Sequence, residues 1–272
     1  MWTQITEQIS QATQSTFQVE KQKSVSGGCI NQGYCLIGET ISYFVKINRA
    51  SQVEMFAAEA LGLKQMAATQ AIRVPQPICW GTTEQSSYIV LEWLEFSRFS
   101  QQSWQKMGRN LAKMHAYQGS NKFGWERNNT IGSTPQMNNW TENWADFFAD
   151  HRIGFQLKLA SRKGRSFGDC NQIVEKVRRL LTGIQPQPSL VHGDLWSGNA
   201  AVTQEGEPVI LDPATYYGDR EVDMAMTELF GGFPATFYQG YSEVFSLEKG
   251  YKQRKTIYNL YHILNHFNLF GG

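Results

Sequence analysis

The stretch Ser189-Leu190-Val191-His192-Gly193-Asp194-Leu195-Trp196-Ser197-Gly198-Asn199 decides how the rest of the chain is read. A short apolar run ends at His192 and opens into a polar cluster holding one carboxylate, Asp194, and one side-chain amide, Asn199. Downstream, a second apolar run, Pro208-Val209-Ile210-Leu211, delivers another carboxylate, Asp212. Both runs, like Ala200-Ala201-Val202-Thr203 between them, have the length and composition of short β segments, so the polar groups emerge at strand ends. Such a set suits a particular chemistry. A hydroxyl becomes a nucleophile when a carboxylate within hydrogen-bond reach orients it and takes its proton. A magnesium ion bridging ATP phosphates takes hard oxygen ligands, for which a second carboxylate and an amide are suited. Asp194 fits the first part; Asn199 and Asp212 fit the second. The alternative for the same residues is a pair of turns in which Asp and Asn cap helices or close side-chain turns.

The spacing H-x-D-x4-N with a later metal aspartate is similar to the pattern of protein kinases and related small-molecule kinases, and three upstream segments agree with it. Ser26-Gly27-Gly28-Cys29-Ile30-Asn31-Gln32-Gly33 sits between two β-prone runs, where backbone amides free of side-chain bulk can approach phosphate oxygens. A plain glycine-rich hairpin turn is the alternative. Gly28 and Gly33 also have the G-x4-G spacing of a P-loop, but Tyr34 stands where that loop needs lysine, so the P-loop reading fails. Tyr43-Phe44-Val45-Lys46 puts a lysine at the end of an apolar strand, and Glu59 flanks the inward face of the next helix, so an ion pair between them is expected. Glu92, Trp93 and Leu94 follow the strand Tyr88 to Leu91 and form an exposed connector whose backbone and apolar walls suit an adenine ring.

The remaining pattern is α+β. A polar helix near residues 3 to 15 precedes an alternating meander from Lys23 to Ile47. Ser51-Gln52-Val53-Glu54 reads as a capping box opening a helix over roughly 51 to 69, and two strands follow at Ile78 to Gly81 and Tyr88 to Leu91. Helical spacing then dominates, at roughly 101 to 117, 141 to 161, 167 to 183, 221 to 229 and 253 to 268. The expected division is residues 1–92, an antiparallel sheet with one main helix and the nucleotide, and 93–272, mostly helical and carrying the catalytic and metal-binding loops.

Composition narrows the field. Lys+Arg 25 against Asp+Glu 24 gives a formal charge of +1, leaving no basic field for nucleic acid or an anionic membrane. No run approaches the length of a membrane span, and the start lacks a basic n-region and an apolar h-region, so a cytoplasmic location is expected. Four cysteines without a C-x-x-C pair argue for free thiols rather than a structural metal site.

Over nearly its full length the chain resembles the fructosamine kinase, or ketoamine kinase, family. The resemblance rests on SGGCINQG, FVKIN, FAAEALGL, VPQPICWG, LEWL, NTIGSTPQMNNWTENWADFFADHRIGFQL, HGDLWSGN and, most specifically, DPATYYGDREVDMAMTELFGGFPATFY. It implies a bilobal protein-kinase-like fold and ATP- and Mg2+-dependent phosphorylation of the 3-hydroxyl of a ketoamine (ribulosamine, erythrulosamine or fructosamine) on a small amine or a protein lysine, with the amine later regenerated. It also implies Asp194 as proton acceptor, Asn199 and Asp212 on magnesium, Lys46 and Glu59 at the phosphates, Gly27, Gly28, Cys29, Ile30 and Asn31 around them, and Glu92 to Leu94 at adenine. His192 and Asp223 read as supports of the catalytic loop. Trp196 stands where a protein kinase usually carries lysine, and only eight residues separate Asp212 from Glu221, too few for a peptide-docking activation loop. A small polyol near Trp196, Tyr216 and Tyr217 fits better, with core packing the alternative for each aromatic. The other readings are a kinase of an aminoglycoside, choline or free sugar, and a nucleotide-binding pseudokinase, which the presence of Lys46, Asp194, Asn199 and Asp212 disfavours. A monomer is expected, or a redox-linked dimer through Cys29, and similar proteins usually run a little beyond Gly272.

Overall fold

The computed structural model describes residues 1–26 and 30–271. Gly27, Gly28 and Cys29, and with them the Cys29 link, lie outside the described residues. Helix α1 (Trp2–Thr13) is followed by β1 (Lys21–Val25), β2 (Gln32–Ile37), β3 (Ser42–Arg49), α2 (Val53–Ala68), β4 (Pro77–Thr82) and β5 (Ser86–Glu92). The strands form one antiparallel sheet in the order β1-β2-β3-β5-β4. Period-two alternation sorts its side chains. Tyr43, Val45 and Ile47 of β3 and Tyr88 and Val90 of β5 join Ile5 and Ile9 of α1 in one apolar cluster. Ile89 and Leu91 of β5 join Phe56, Leu63 and Met66 of α2 in the main core. Lys46, opposite in phase to Val45 and Ile47, is thereby aimed towards α2.

The capping box expected at Ser51 does not form. Ala50–Gln52 make a 3-10 turn, Gln52 occupies the N-cap without a side-chain bond, and Glu54 pairs with Arg127. The reciprocal pair closes instead at helix α3 (Gln101–His115), where Ser103 N donates to Ser100 Oγ at 3.1 Å and Ser100 N to Ser103 Oγ at 2.8 Å.

The remainder is mostly helical. After the hairpin β6 (Asn129–Ile131) and β7 (Thr134–Gln136), the stretch read as one helix over 141 to 161 divides into α4 (Trp144–Phe147), a π-helical segment Phe148–Gly154, and α5 (Phe155–Arg162). Then come α6 (Cys170–Leu181), β8 (Ser189–Val191), β9 (Ala200–Val202), β10 (Pro208–Ile210), β11 (Tyr216–Gly218), α7 (Glu221–Thr227), α8 (Ala235–Val244) and α9 (Tyr251–Phe270). The β6-β7 hairpin, β11 and α8 were not expected from sequence. Two short ladders matter most for the site. β8 pairs with β11 and β9 with β10, both antiparallel, so the loop 192–199 is pinned where it leaves β8 and enters β9, and the loop 211–215 where it leaves β10 and enters β11. That double anchoring brings Asp194, Asn199 and Asp212 together. Among the described residues no helix is long and apolar enough to cross a membrane.

Candidate active site

A cavity of about 1110 Å³ lies between the sheet and the helical remainder, and its wall includes Lys46, Glu59, Asp194, Asn199 and Asp212. Lys46 Nζ donates to Glu59 Oε1 at 2.6 Å and to Asp212 Oδ1 at 2.5 Å. The expected Lys46–Glu59 pair is therefore present, with Asp212 as a third member. Burial alone would lower the Lys46 pKa; the Asp212 and Glu59 carboxylates outweigh it and hold the ammonium above its ordinary value. Glu59 is pushed up by desolvation, with the Lys46 charge offsetting part of the shift. One ammonium serves two carboxylates here, leaving an excess of negative charge that a cation would relieve.

The loop geometry follows from hydrogen bonds that each residue type dictates. His192 Nε2 lies 2.8 Å from the Leu211 carbonyl, which can only accept, so the proton is on Nε2 and Nδ1 is left to accept from Asp194 N at 3.2 Å. Burial lowers the His192 pKa and keeps the ring in that neutral form. Asp223 of α7 accepts from His192 N at 2.6 Å and Gly193 N at 2.8 Å, and contacts the His115 ring at 3.0 Å. Burial would raise the Asp223 pKa, but the His115 ring and the loop amide bonds hold it below the usual value. Gly193 has φ +81°, and an added Cβ would lie 2.2 Å from the Ala214 carbonyl oxygen, so the two loops approach as closely as they do because glycine stands there.

Asp194 is half-buried. Desolvation first, then the charges of Asp212 and Asp223, raise its pKa to about 7, while the Asn199 amide pulls it back. A carboxylate held there can exchange a proton with a hydroxyl near neutral pH. Asn199 Nδ2 donates to the Asp194 carbonyl at 2.8 Å, which turns Oδ1 to the other side. Asp212 has φ 54°, a left-handed conformation that Asp tolerates better than most residues and that marks a constrained loop. Among the described residues no group of three or more His, Cys, Asp or Glu side chains could hold a metal by itself. The donors that do meet here, the Asp212 carboxylate and Asn199 Oδ1, are hard oxygens suited to magnesium, with further oxygens to come from phosphate.

A family model described as fructosamine kinase matches residues 1–272. The chain belongs to the fructosamine kinase family. It is 63% identical over 271 residues to the "Probable ketoamine kinase" of Synechocystis sp., covering 100% of this chain and 92% of that protein. It is 45% identical over 258 residues to the chloroplastic protein-ribulosamine 3-kinase of Oryza sativa, covering 91% of this chain and 73% of that one. A crystal structure from Haemophilus somnus, assigned as a fructosamine-3-kinase, superposes with a TM-score of 0.94 at 36% identity, over 98% of this chain and 90% of the other.

In this member of the fructosamine kinase family, Ile30, Asn31, Glu92, Trp93, Leu94 and Trp196 also line the cavity. Asn31 Oδ1 accepts from Asn48 Nδ2 at 2.7 Å. The Glu92 side chain turns to Arg73 and to Gln76 N, so at this connector it is backbone and the neighbouring apolar groups that remain for a ligand. Two of the aromatics expected at the substrate, Tyr216 and Tyr217, do not line the cavity. Tyr216 is 1% exposed and lies beneath the Arg152 guanidinium, 4.0 Å from its ring centroid; Tyr217 stacks on Trp140 at 6.1 Å. Neither lines the cavity, because the pairing of β11 with β8 turns both rings into packed surroundings. The wall also includes residues to which the sequence reading gave no role of their own: Asn129 to Gly132 of the β6-β7 hairpin, Met226 and Phe230, which lie within family segments quoted above, and His262, Asn265, His266 and Leu269 of α9, which lie outside them. For the α9 residues the signal in the sequence was faint, a polar residue every third or fourth position along the helix.

Proposed function

We propose that the chain is an ATP-dependent ketoamine kinase that transfers the γ-phosphate of ATP to the 3-hydroxyl of a ketoamine, destabilising the adduct so that the amine is released. The observation that carries this reading is the meeting of Asp194, Asn199, Asp212 and the Lys46–Glu59 pair in one cavity of a fructosamine kinase family member.

In the proposed mechanism Asp194 accepts the proton of the 3-hydroxyl as its oxygen bonds to the γ-phosphorus and the bond to the β-phosphate oxygen breaks, releasing ADP. Lys46, held by Glu59, contacts the phosphates; Ile30 and Asn31 border them; the backbone at Glu92 to Leu94 receives adenine. Asn199 and Asp212 would hold Mg2+, which when bound neutralises charge on the phosphate oxygens. His192 and Asp223 keep the loop in register rather than touching the reacting atoms. The boundary between the nucleotide-binding part and the rest is placed at residues 92 and 93. The free thiols Cys35, Cys79 and Cys170 suit a reducing cytoplasm. Several kinase substrates share these elements, so the test is substrate choice. ADP release is expected with ribulose-lysine, erythrulose-lysine or fructose-lysine; a preference for choline or kanamycin overturns the reading.

A further inference from the structure

Buried polar residues recur at three-residue spacing along α9, at Asn259, His262, Asn265 and Asn268, in a row that winds obliquely around the helix. A buried polar group costs stability unless it finds a partner. Gln156 of α5 supplies partners for two of the four. Its Nε2 donates to Asn265 Oδ1 at 3.1 Å, and its carbonyl and Oε1 accept from Asn268 Nδ2 at 3.0 and 2.8 Å. Three atoms of this row are buried with no hydrogen-bond partner among the described residues: Asn259 Oδ1, Asn268 Oδ1 and His262 Nδ1. Of the residues that carry them, only His262 belongs to the cavity wall.

The charged groups nearest the His262 ring, Asp223 and Arg152, are engaged elsewhere. Asp223 accepts from the 192–193 amides and contacts His115, while Arg152 donates to the Met137 carbonyl at 2.7 Å and to Asn138 Oδ1 at 2.7 Å. Burial holds the His262 pKa down, to about 4, so the ring is neutral, with one nitrogen to donate and one to accept. That complements a hydroxyl, which does both, better than an anion or a cation. The wall also has a direction. His262 is 5% exposed, whereas Phe230 and Phe270, on the same wall, are 38% and 58% exposed. A ketoamine has a hydroxyl-rich sugar arm and an amine arm that, on a protein, cannot be enclosed. The enclosed polar wall fits the first and the open apolar rim the second.

We propose that His262 is a specificity-determining residue that hydrogen-bonds the terminal sugar hydroxyl, on the carbon that a ribulosamine has and an erythrulosamine lacks, so that the sugar arm points to α9 and the amine arm leaves past Phe230 and Phe270. This rests on the ketoamine kinase reading. The test is steady-state kinetics of His262→Phe and His262→Gln with ribulose-lysine and with erythrulose-lysine, which has one hydroxyl fewer. His262→Phe should raise KM for ribulose-lysine about tenfold, as expected for one lost hydrogen bond that leaves its partner unpaired. It should leave KM for ATP within about twofold, cost erythrulose-lysine less, and melt no lower than wild type, since it removes an unpaired buried polar group. His262→Gln should recover part of the loss. If His262→Phe does not fold, the ring is a structural element and the inference fails. Equal effects on both ketoamines, or a KM for ATP that rises in parallel, also overturn it while leaving the kinase reading intact. A wild-type protein that turns over no ketoamine removes both.

Discussion

Asp194 is the residue on which the proposed chemistry turns. Replacing Asp194 by Asn keeps its size and its place beside Asn199 but removes the proposed proton acceptor, a contribution of about 10²-fold or more. Turnover of Asp194→Asn should fall by about that factor while binding of Mg-ATP, measured by calorimetry, persists; unchanged turnover would remove the residue from its role. His262 makes a second prediction, about stability. Its pKa is about 4 in the folded chain against 6.5 ordinarily. Between those values the unfolded chain binds a proton that the folded chain does not, so this contribution is fully present above pH 6.5 and is lost as pH falls towards 4. At about 1.4 kcal/mol per pKa unit, the loss is on the order of 3 kcal/mol. The melting temperature of wild type should therefore drop more between pH 6.5 and 4.5 than that of His262→Phe, and parallel acid slopes would show that the ring does not titrate this way. These two residues were unequally legible. Asp194 announced itself through H-x-D-x4-N, whereas a lone histidine on an amphipathic helix has no local signature until burial and a missing partner single it out.

At the scale of elements, Gly62 decides how near α2 can come to the loop after Asp212. An added Cβ would lie 2.7 Å from Thr215 Oγ1 and 3.2 Å from Thr215 Cβ, and Thr215 is itself buried. Gly to Ala in a helix gains up to about 1 kcal/mol of propensity. Overpacking a well-packed contact costs about 1 to 3 kcal/mol, so the clash should win. Because Glu59 rides on α2, Gly62→Ala should raise KM for ATP several-fold and lower the melting temperature. A more stable variant with unchanged KM would mean that the helix and loop are not held against each other. Glycine of this kind also explains what the sequence concealed. Helix α8 carries Gly240 amid aromatic residues and reads as poor helix, yet an added Cβ there would lie 2.1 Å from the Gln105 carbonyl oxygen, and one at Gly108 of α3 would lie 2.0 Å from that of Phe237. The two helices cross backbone to backbone at these glycines, so tertiary packing overrides a propensity that counts glycine as a breaker. Strand β5 was legible because burial on both faces leaves an apolar run bounded by polar turn residues, and helix α2 because Phe56, Ala60, Leu63 and Met66 recur at helical spacing. The Ser51 box was misread because the 3-10 turn before α2 takes the position the motif needs. The short strand β11 was missed, and its two tyrosines misplaced, because three residues show too little alternation to reveal a face.

At the scale of the whole molecule, the sheet and the loops that carry Asp194 and Asp212 are physically joined rather than merely adjacent. Ile210 N donates to the Arg73 carbonyl at 3.1 Å, and Lys46 on the sheet holds Asp212 just beyond β10. A ligand that engages both sides should therefore stabilise the chain as one cooperative unit. For a ligand that binds only the folded state, a concentration of 100 times Kd adds about 2.7 kcal/mol. At about 2 °C per kcal/mol for a chain of this size, Mg2+ with a non-hydrolysable ATP analogue should raise the melting temperature by about 5 °C in a single transition. Part of that rise should require magnesium, and the requirement should reside in Asp212. In Asp212→Ala the buried Lys46 keeps Glu59 as partner, so the chain should still fold and still bind the analogue, but adding Mg2+ should produce no further rise. Differential scanning calorimetry of both proteins, with the analogue alone and with analogue plus Mg2+, separates the contributions. An equal magnesium increment in wild type and Asp212→Ala would place the ion elsewhere, and two separated transitions would show that the parts on either side of the cavity melt independently.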